Sequence, residues 1–181
     1  MARRLRPDEQ ATKDLQDEMV RQVNIVYSAA AIAMWEYYGW RQKKILGILK
    51  ETQEIWNACS ADPNTSMLMM LEAETGIEIR ARGVEQSYHD LDYLNGTPAD
   101  AHPMTMMEFV YMRKRQMPWV NPQITAALLL AMNRKYGWSC ERDMMLLSRK
   151  DEVEARYKWK PGKLVRACDE ITGINMMQET R

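Results

Sequence analysis

Several residue types are scarce in this chain of 181 residues: three cysteines, two histidines and one phenylalanine. Cys59, Cys140 and Cys168 are widely spaced, odd in number and in no ligand spacing. They read as reduced thiols rather than as a disulfide frame or a zinc knot. The two histidines, His89 and His102, belong to no HExxH pattern. His89-Asp90-Leu91-Asp92 is the one place where an imidazole meets carboxylates, and it reads as a solvated polar loop. GxSxG, P-loop and dinucleotide glycine patterns are missing too. These absences point to a non-enzyme with no catalytic residues, no metal and no cofactor.

No apolar run reaches the roughly 20 residues of a membrane span, and MARRLRPDEQ is not followed by the apolar stretch of a secretory signal. The expectation is a cytoplasmic protein with no membrane contact. An excess of one charge is absent as well. Twenty-five Lys and Arg cancel twenty-five Asp and Glu, which argues against a cationic coat protein and against an acidic nucleic-acid mimic. Gly (8) and Pro (7) are few, and alternating Val/Ile/Thr runs are lacking, so helix is the default. What is abundant is methionine, 16 residues in a chain that is 46% apolar.

The chain also repeats itself. Residues 28–40 read SAAAIAMWEYYGW and residues 126–138 read AALLLAMNRKYGW. At an offset of 98, Ala29/Ala127, Ala33/Ala131, Met34/Met132, Tyr38/Tyr136, Gly39/Gly137 and Trp40/Trp138 are identical. Thr75-Gly76-Ile77 and Thr172-Gly173-Ile174 match again, 97 apart. The expected architecture is all-α: two pseudo-repeats of a helical hairpin plus a short helix, packed as one bundle. Residues 1–83 form the first repeat, 84–103 a linker and 104–181 the second repeat.

Each copy has a physical reading. The Ala-rich stretch favours helix. Gly39 and Gly137 stop it in the left-handed conformation, and Trp40 and Trp138 pack back on the last turn. Ile45, Ile48, Leu49, Thr52, Ile55 and Trp56 then make an amphipathic stripe, with Met144, Leu147 and Val153 as its counterpart. Residues 62–66 stop this helix and cap the next. Short helices Met67–Glu74 and Lys163–Ile171 close the copies at Gly76 and Gly173. The first helix starts at Pro7, a good first-turn residue, and either runs on into the Ala-rich segment or stops before it. In the second copy an upstream helix over Met104–Gln116 is broken by Pro118 and Pro122. Ile77–Val84 reads as a short strand.

Binding residues are sought among basic clusters and methionines. Arg41, Lys43 and Lys44 follow the first glycine turn, and Arg113, Lys114 and Arg115 form a second cluster. Such runs are solvated helix faces unless folding gathers them into an anion-binding surface. Met104 and Met107 lie next to the linker, where methionine serves either as core filler or as an adaptable contact face. A helix, a glycine turn and a second helix is also the form of a helix-turn-helix DNA reader.

The pattern Ala33-Met34-Trp35-Glu36-Tyr37-Tyr38-Gly39-Trp40, followed by Ile45-Leu46 and echoed at Ala131–Trp138, resembles small accessory proteins of Firmicutes phages and prophages. That resemblance implies a stoichiometric, phage-encoded inhibitor of bacterial immunity. Its type would be an anti-CRISPR protein directed at a type II RNA-guided nuclease or its nucleic-acid complex. Direct nucleic-acid contact and homo-oligomerisation stay open. The alternative function is a small helix-turn-helix-like phage regulator.

Overall fold

The computed structural model describes residues 7–61, 66–80, 106–157 and 160–176, with side chains given for 9–59, 66–80, 117–157 and 160–176. All regular elements among the described residues are helices: α1 (Pro7–Tyr38), α2 (Gln42–Ala61), α3 (Met67–Thr75), α4 (Met106–Tyr136), α5 (Cys140–Arg156) and α6 (Pro161–Thr172). The expected linker 84–103, with His89 and His102, lies outside the described residues, as does Met104.

The two long helices organise the bundle. α1 lies against α4, α5 and α6, whereas α4 lies against α1, α2 and α3. Each long helix touches the helix that follows it only sparingly. Ala29–Met34 and Ala126–Met132 are fully buried on every side of their helices. A stretch apolar all round needs neighbours all round, and small alanine side chains let those neighbours approach closely. Ile45, Ile48, Leu49, Thr52 and Ile55 bury the predicted stripe of α2, which packs on α4.

Four expectations are corrected. First, α4 is one continuous helix with Pro118 and Pro122 inside it, not a helix broken there. Each proline removes one N–H and leaves the carbonyl four residues earlier without its donor. Because the prolines are themselves four apart, the losses fall on one row of the ladder, and burial of Trp119, Val120 and Ile124 holds the helix together. Second, α5 does not bury a Met144–Leu147 stripe. Asp143, Leu146, Lys150, Val153 and Glu154 are its buried residues, and Met144 and Met145 are half exposed. Third, residues 77–80 form no strand. Fourth, Ser66 stands at the N-cap of α3 but its side chain makes no cap hydrogen bond.

The glycine stops are as expected. Gly39, Gly76, Gly137 and Gly173 all have φ between +60° and +73°, a region that penalises any Cβ. Both Thr-Gly-Ile ends have one geometry. Thr75 Oγ1 donates to the Leu71 carbonyl at 2.7 Å and accepts from the Ile77 N–H at 3.2 Å. Thr172 does the same with the Cys168 carbonyl and the Ile174 N–H, at the same distances. A hydroxyl that bonds back into the last turn and forward past the glycine satisfies groups at both sides of a helix end.

Candidate binding surface at the paired turns

Two segments, Tyr38-Gly39-Trp40 and Tyr136-Gly137-Trp138, meet at one end of the bundle. Tyr38 packs on Trp138 and Trp40 on Tyr136, both with ring centroids 5.1 Å apart. Trp40 and Trp138 themselves meet at 5.7 Å. Local hydrogen bonds fix the two turns. The Trp40 N–H donates to the Met34 carbonyl at 3.1 Å, and the Gly137 N–H to the Asn133 carbonyl at 2.7 Å. The Asn133 amide adds a bond to the Trp138 carbonyl at 2.9 Å. Both indoles are buried, at 8% and 5% exposure.

Cations sit on these rings. Lys44 Nζ lies 3.8 Å from the Trp40 centroid and 4.8 Å from that of Tyr136. Arg142 Cζ lies 5.1 Å from Trp138, and Arg41 Cζ lies 4.8 Å from Trp35. Ring faces attract cations without neutralising them. Arg41, Lys43, Lys44 and Arg142 are all exposed, and none has a carboxylate at ion-pair distance among the described residues. Nearby cations differ: Arg134 is paired with Glu74, Lys135 with Glu51, Arg149 with Glu152 and Arg156 with Glu36. The exposed Glu141 and the buried Asp143 are the acidic residues in the first turn of α5. The face thus carries a local positive field on a chain of zero net charge.

Of the residues singled out from sequence, the structure brings Arg41, Lys43 and Lys44 together here. Arg113, Lys114, Arg115 and Met107 belong to α4, with side chains outside the described set. Arg142 was missed. Its signal was present, since the offset of 98 takes Lys44 to Arg142.

A second feature is the buried charge of α5. Asp143, Lys150 and Glu154 are 0%, 4% and 2% exposed and are the buried charged residues among those described. The offset of 98 pairs them with Ile45, Thr52 and Trp56. Lys150 Nζ donates to Glu154 at 2.7 Å and to Asp151 at 3.1 Å. Both oxygens of Asp143 lack a hydrogen-bond partner, and burial raises its carboxyl from 3.8 to about 6. Lys150 and Glu154 line a cleft of about 640 Å³ together with Arg21, Ile25, Asn121 and Leu147.

The three cysteines form no disulfide, with Cys140 exposed and Cys59 and Cys168 buried. Burial pushes Cys168 up to about 11, which leaves it an inert thiol. No group of three or more His, Cys, Asp or Glu side chains that could hold a metal occurs among the described residues, and none of the described helices is long and apolar enough to cross a membrane. No family model, curated protein or solved structure matches this chain.

Proposed function

We propose that this protein acts by binding rather than by chemistry, as a stoichiometric phage-encoded inhibitor of a bacterial type II RNA-guided nuclease. The observation that carries this reading is the face at the paired turns. Of four exposed cations without carboxylate partners among the described residues, Lys44 and Arg142 rest on the rings of the paired turns and Arg41 on Trp35, which holds these three in place before any partner arrives. Preorganised, unneutralised charge gives fast association and selects an anionic partner. A guide-loaded nuclease exposes such a partner in its nucleic acid. In this reading the protein works in the host cytoplasm and has no active site of its own.

The reading includes an internal duplication, with residues 1–83 and 104–181 as diverged copies related by an approximate two-fold. Supporting it are the reciprocal packing of α1 and α4, the matched ring distances at 5.1 Å and the matched threonine bonds at both Thr-Gly-Ile ends.

Titration of the protein into guide-loaded nuclease tests the function. Cleavage should fall to zero near one equivalent, with a complex that co-elutes on gel filtration. Loss of inhibition is expected when Arg41, Lys43 and Lys44 are all changed to Glu. Unchanged cleavage at tenfold excess across several type II nucleases would sink the reading. The exposed Arg41, Lys43 and Lys44 at the start of α2 also favour a second reading, a DNA-binding phage regulator. A shift of one DNA sequence over others by the protein alone would select it.

A further inference from the structure

We propose that the face at the paired turns binds the phosphodiester backbone of a nucleic acid directly, through Arg41, Lys43, Lys44 and Arg142 and without reading sequence. The proposal rests on the binding role assigned above and names what that face touches. Three observations carry it.

The first is spacing. Lys44 Nζ is 3.8 Å from the Trp40 ring, that ring is 5.7 Å from Trp138, and Arg142 Cζ is 5.1 Å from Trp138. These separations together hold the two cations within about 15 Å of each other. Phosphates of one duplex strand recur every ~3.4 Å along the axis, so neighbouring phosphates of a single backbone lie within that reach.

The second is that the indoles of the two turns offer no anchor. Tight protein interfaces are centred on aromatic or aliphatic side chains that enter the partner. Here Trp40 and Trp138 are turned inward, at 8% and 5% exposure, while Gly39, Gln42, Ser139 and Arg142 are exposed. Charge, polar donors and bare glycine backbone suit phosphate contacts, which need no pocket.

The third is the mounting. Lys44 and Arg142 each rest on the rings of a turn, at positions 98 apart in the chain. Neither must leave an ion-pair partner among the described residues before meeting a phosphate.

Fluorescence anisotropy of the full chain tests this with four probes of equal length: mixed-sequence duplex DNA, single-stranded RNA, an RNA–DNA heteroduplex and a polyglutamate peptide. Binding of the duplexes should vary little with sequence. Log affinity should fall with log salt at a slope of about −3 to −4, the value for four neutralised phosphates. Lys43→Gln and Arg142→Gln should each reduce that slope by about 1, and Arg142→Lys should restore it. Glu141→Gln should tighten binding. Lys43 bonds to no described group, so its variant keeps the fold and the test stands even if Arg142→Gln loosens the turn.

Three results would overturn the proposal: no nucleic-acid binding at 50 mM salt, a slope that ignores Lys43 and Arg142, or polyglutamate bound as tightly as the duplexes. A protein that blocks the nuclease at one equivalent yet binds none of the nucleic-acid probes would overturn the backbone contact and leave the inhibitor reading intact. Nucleic-acid binding without inhibition would do the reverse.

Discussion

The indoles of Trp40 and Trp138 meet edge to face, 5.7 Å apart with their planes at 69°. They come from turns 98 residues apart and join the ends of α1 and α4. Each is buried by the other turn's tyrosine as well, so removing one leaves a cavity where both turns are pinned. Trp40→Ala or Trp138→Ala should each destabilise the protein by about 3–5 kcal/mol. A double-mutant cycle in urea should return a coupling of roughly 0.5–1.5 kcal/mol, beyond the burial of each ring. Strictly additive losses would show that the rings are neighbours without mutual stabilisation.

Asp143 should make the protein more stable in mild acid than at neutral pH. Its carboxyl titrates near 6 in the folded chain and at 3.8 in the ordinary state, so the folded form holds the proton more tightly. The penalty for a buried charge is therefore absent below about pH 4, grows as pH rises towards 6 and is complete above it. Two units correspond to about 2–3 kcal/mol. Asp143→Asn or Asp143→Ile should raise stability by up to this amount at pH 8 and little at pH 4. Chemical denaturation at the two pH values checks it, and a gain that is the same at both would refute it.

Lys150 and Glu154 should behave as a unit. Both are almost fully buried and lie 2.7 Å apart. Lys150→Met takes from Glu154 its cation at 2.7 Å and should destabilise by about 3–5 kcal/mol, whereas Glu154→Gln leaves Lys150 its bond to Asp151 and should cost less. Lys150→Met combined with Glu154→Leu removes both charges and should recover most of that loss. Thermal melts of the two singles and the double suffice. A double variant as unstable as the sum of the singles would contradict the argument.

Gly137 and Gly47 should respond oppositely to alanine. Gly137 has φ +60°, whereas Gly47 sits inside α2 with nothing within 4 Å of an added Cβ. Gly137→Ala forces a Cβ into the left-handed region and should cost about 1–2 kcal/mol. Gly47→Ala should stabilise by about 0.5–1 kcal/mol, because it restricts the unfolded chain and suits a helix. Midpoints in urea at unchanged slope distinguish the two.

The parts of this fold that sequence reasoning reached are those written in local grammar. A glycine between aromatic residues after an alanine run announces a helix stop, and the apolar spacing from Ile45 to Trp56 announces the buried side of α2. α5 was opaque for the opposite reason. It buries Asp143, Lys150 and Glu154 and exposes Met144 and Met145, so a hydrophobicity pattern points to the wrong side of the helix. α4 defied the rule that proline ends helices, because burial of Trp119 and Ile124 outweighed two missing hydrogen bonds. At the candidate site, Arg41, Lys43 and Lys44 were legible as a cluster. That Arg142 joins them depends on two turns meeting in space, which no window of sequence contains.

The reciprocal leaning of α1 and α4 carries a consequence for how the molecule is born. The three helices that cover most of α1, namely α4, α5 and α6, all lie beyond residue 105. At ribosomal speeds of about 5–20 residues per second, the front of the chain waits on the order of ten seconds for them. During that interval most of a greasy rod trails from the exit tunnel without shelter, so newly made chains should be customers of nascent-chain chaperones until the last helix emerges.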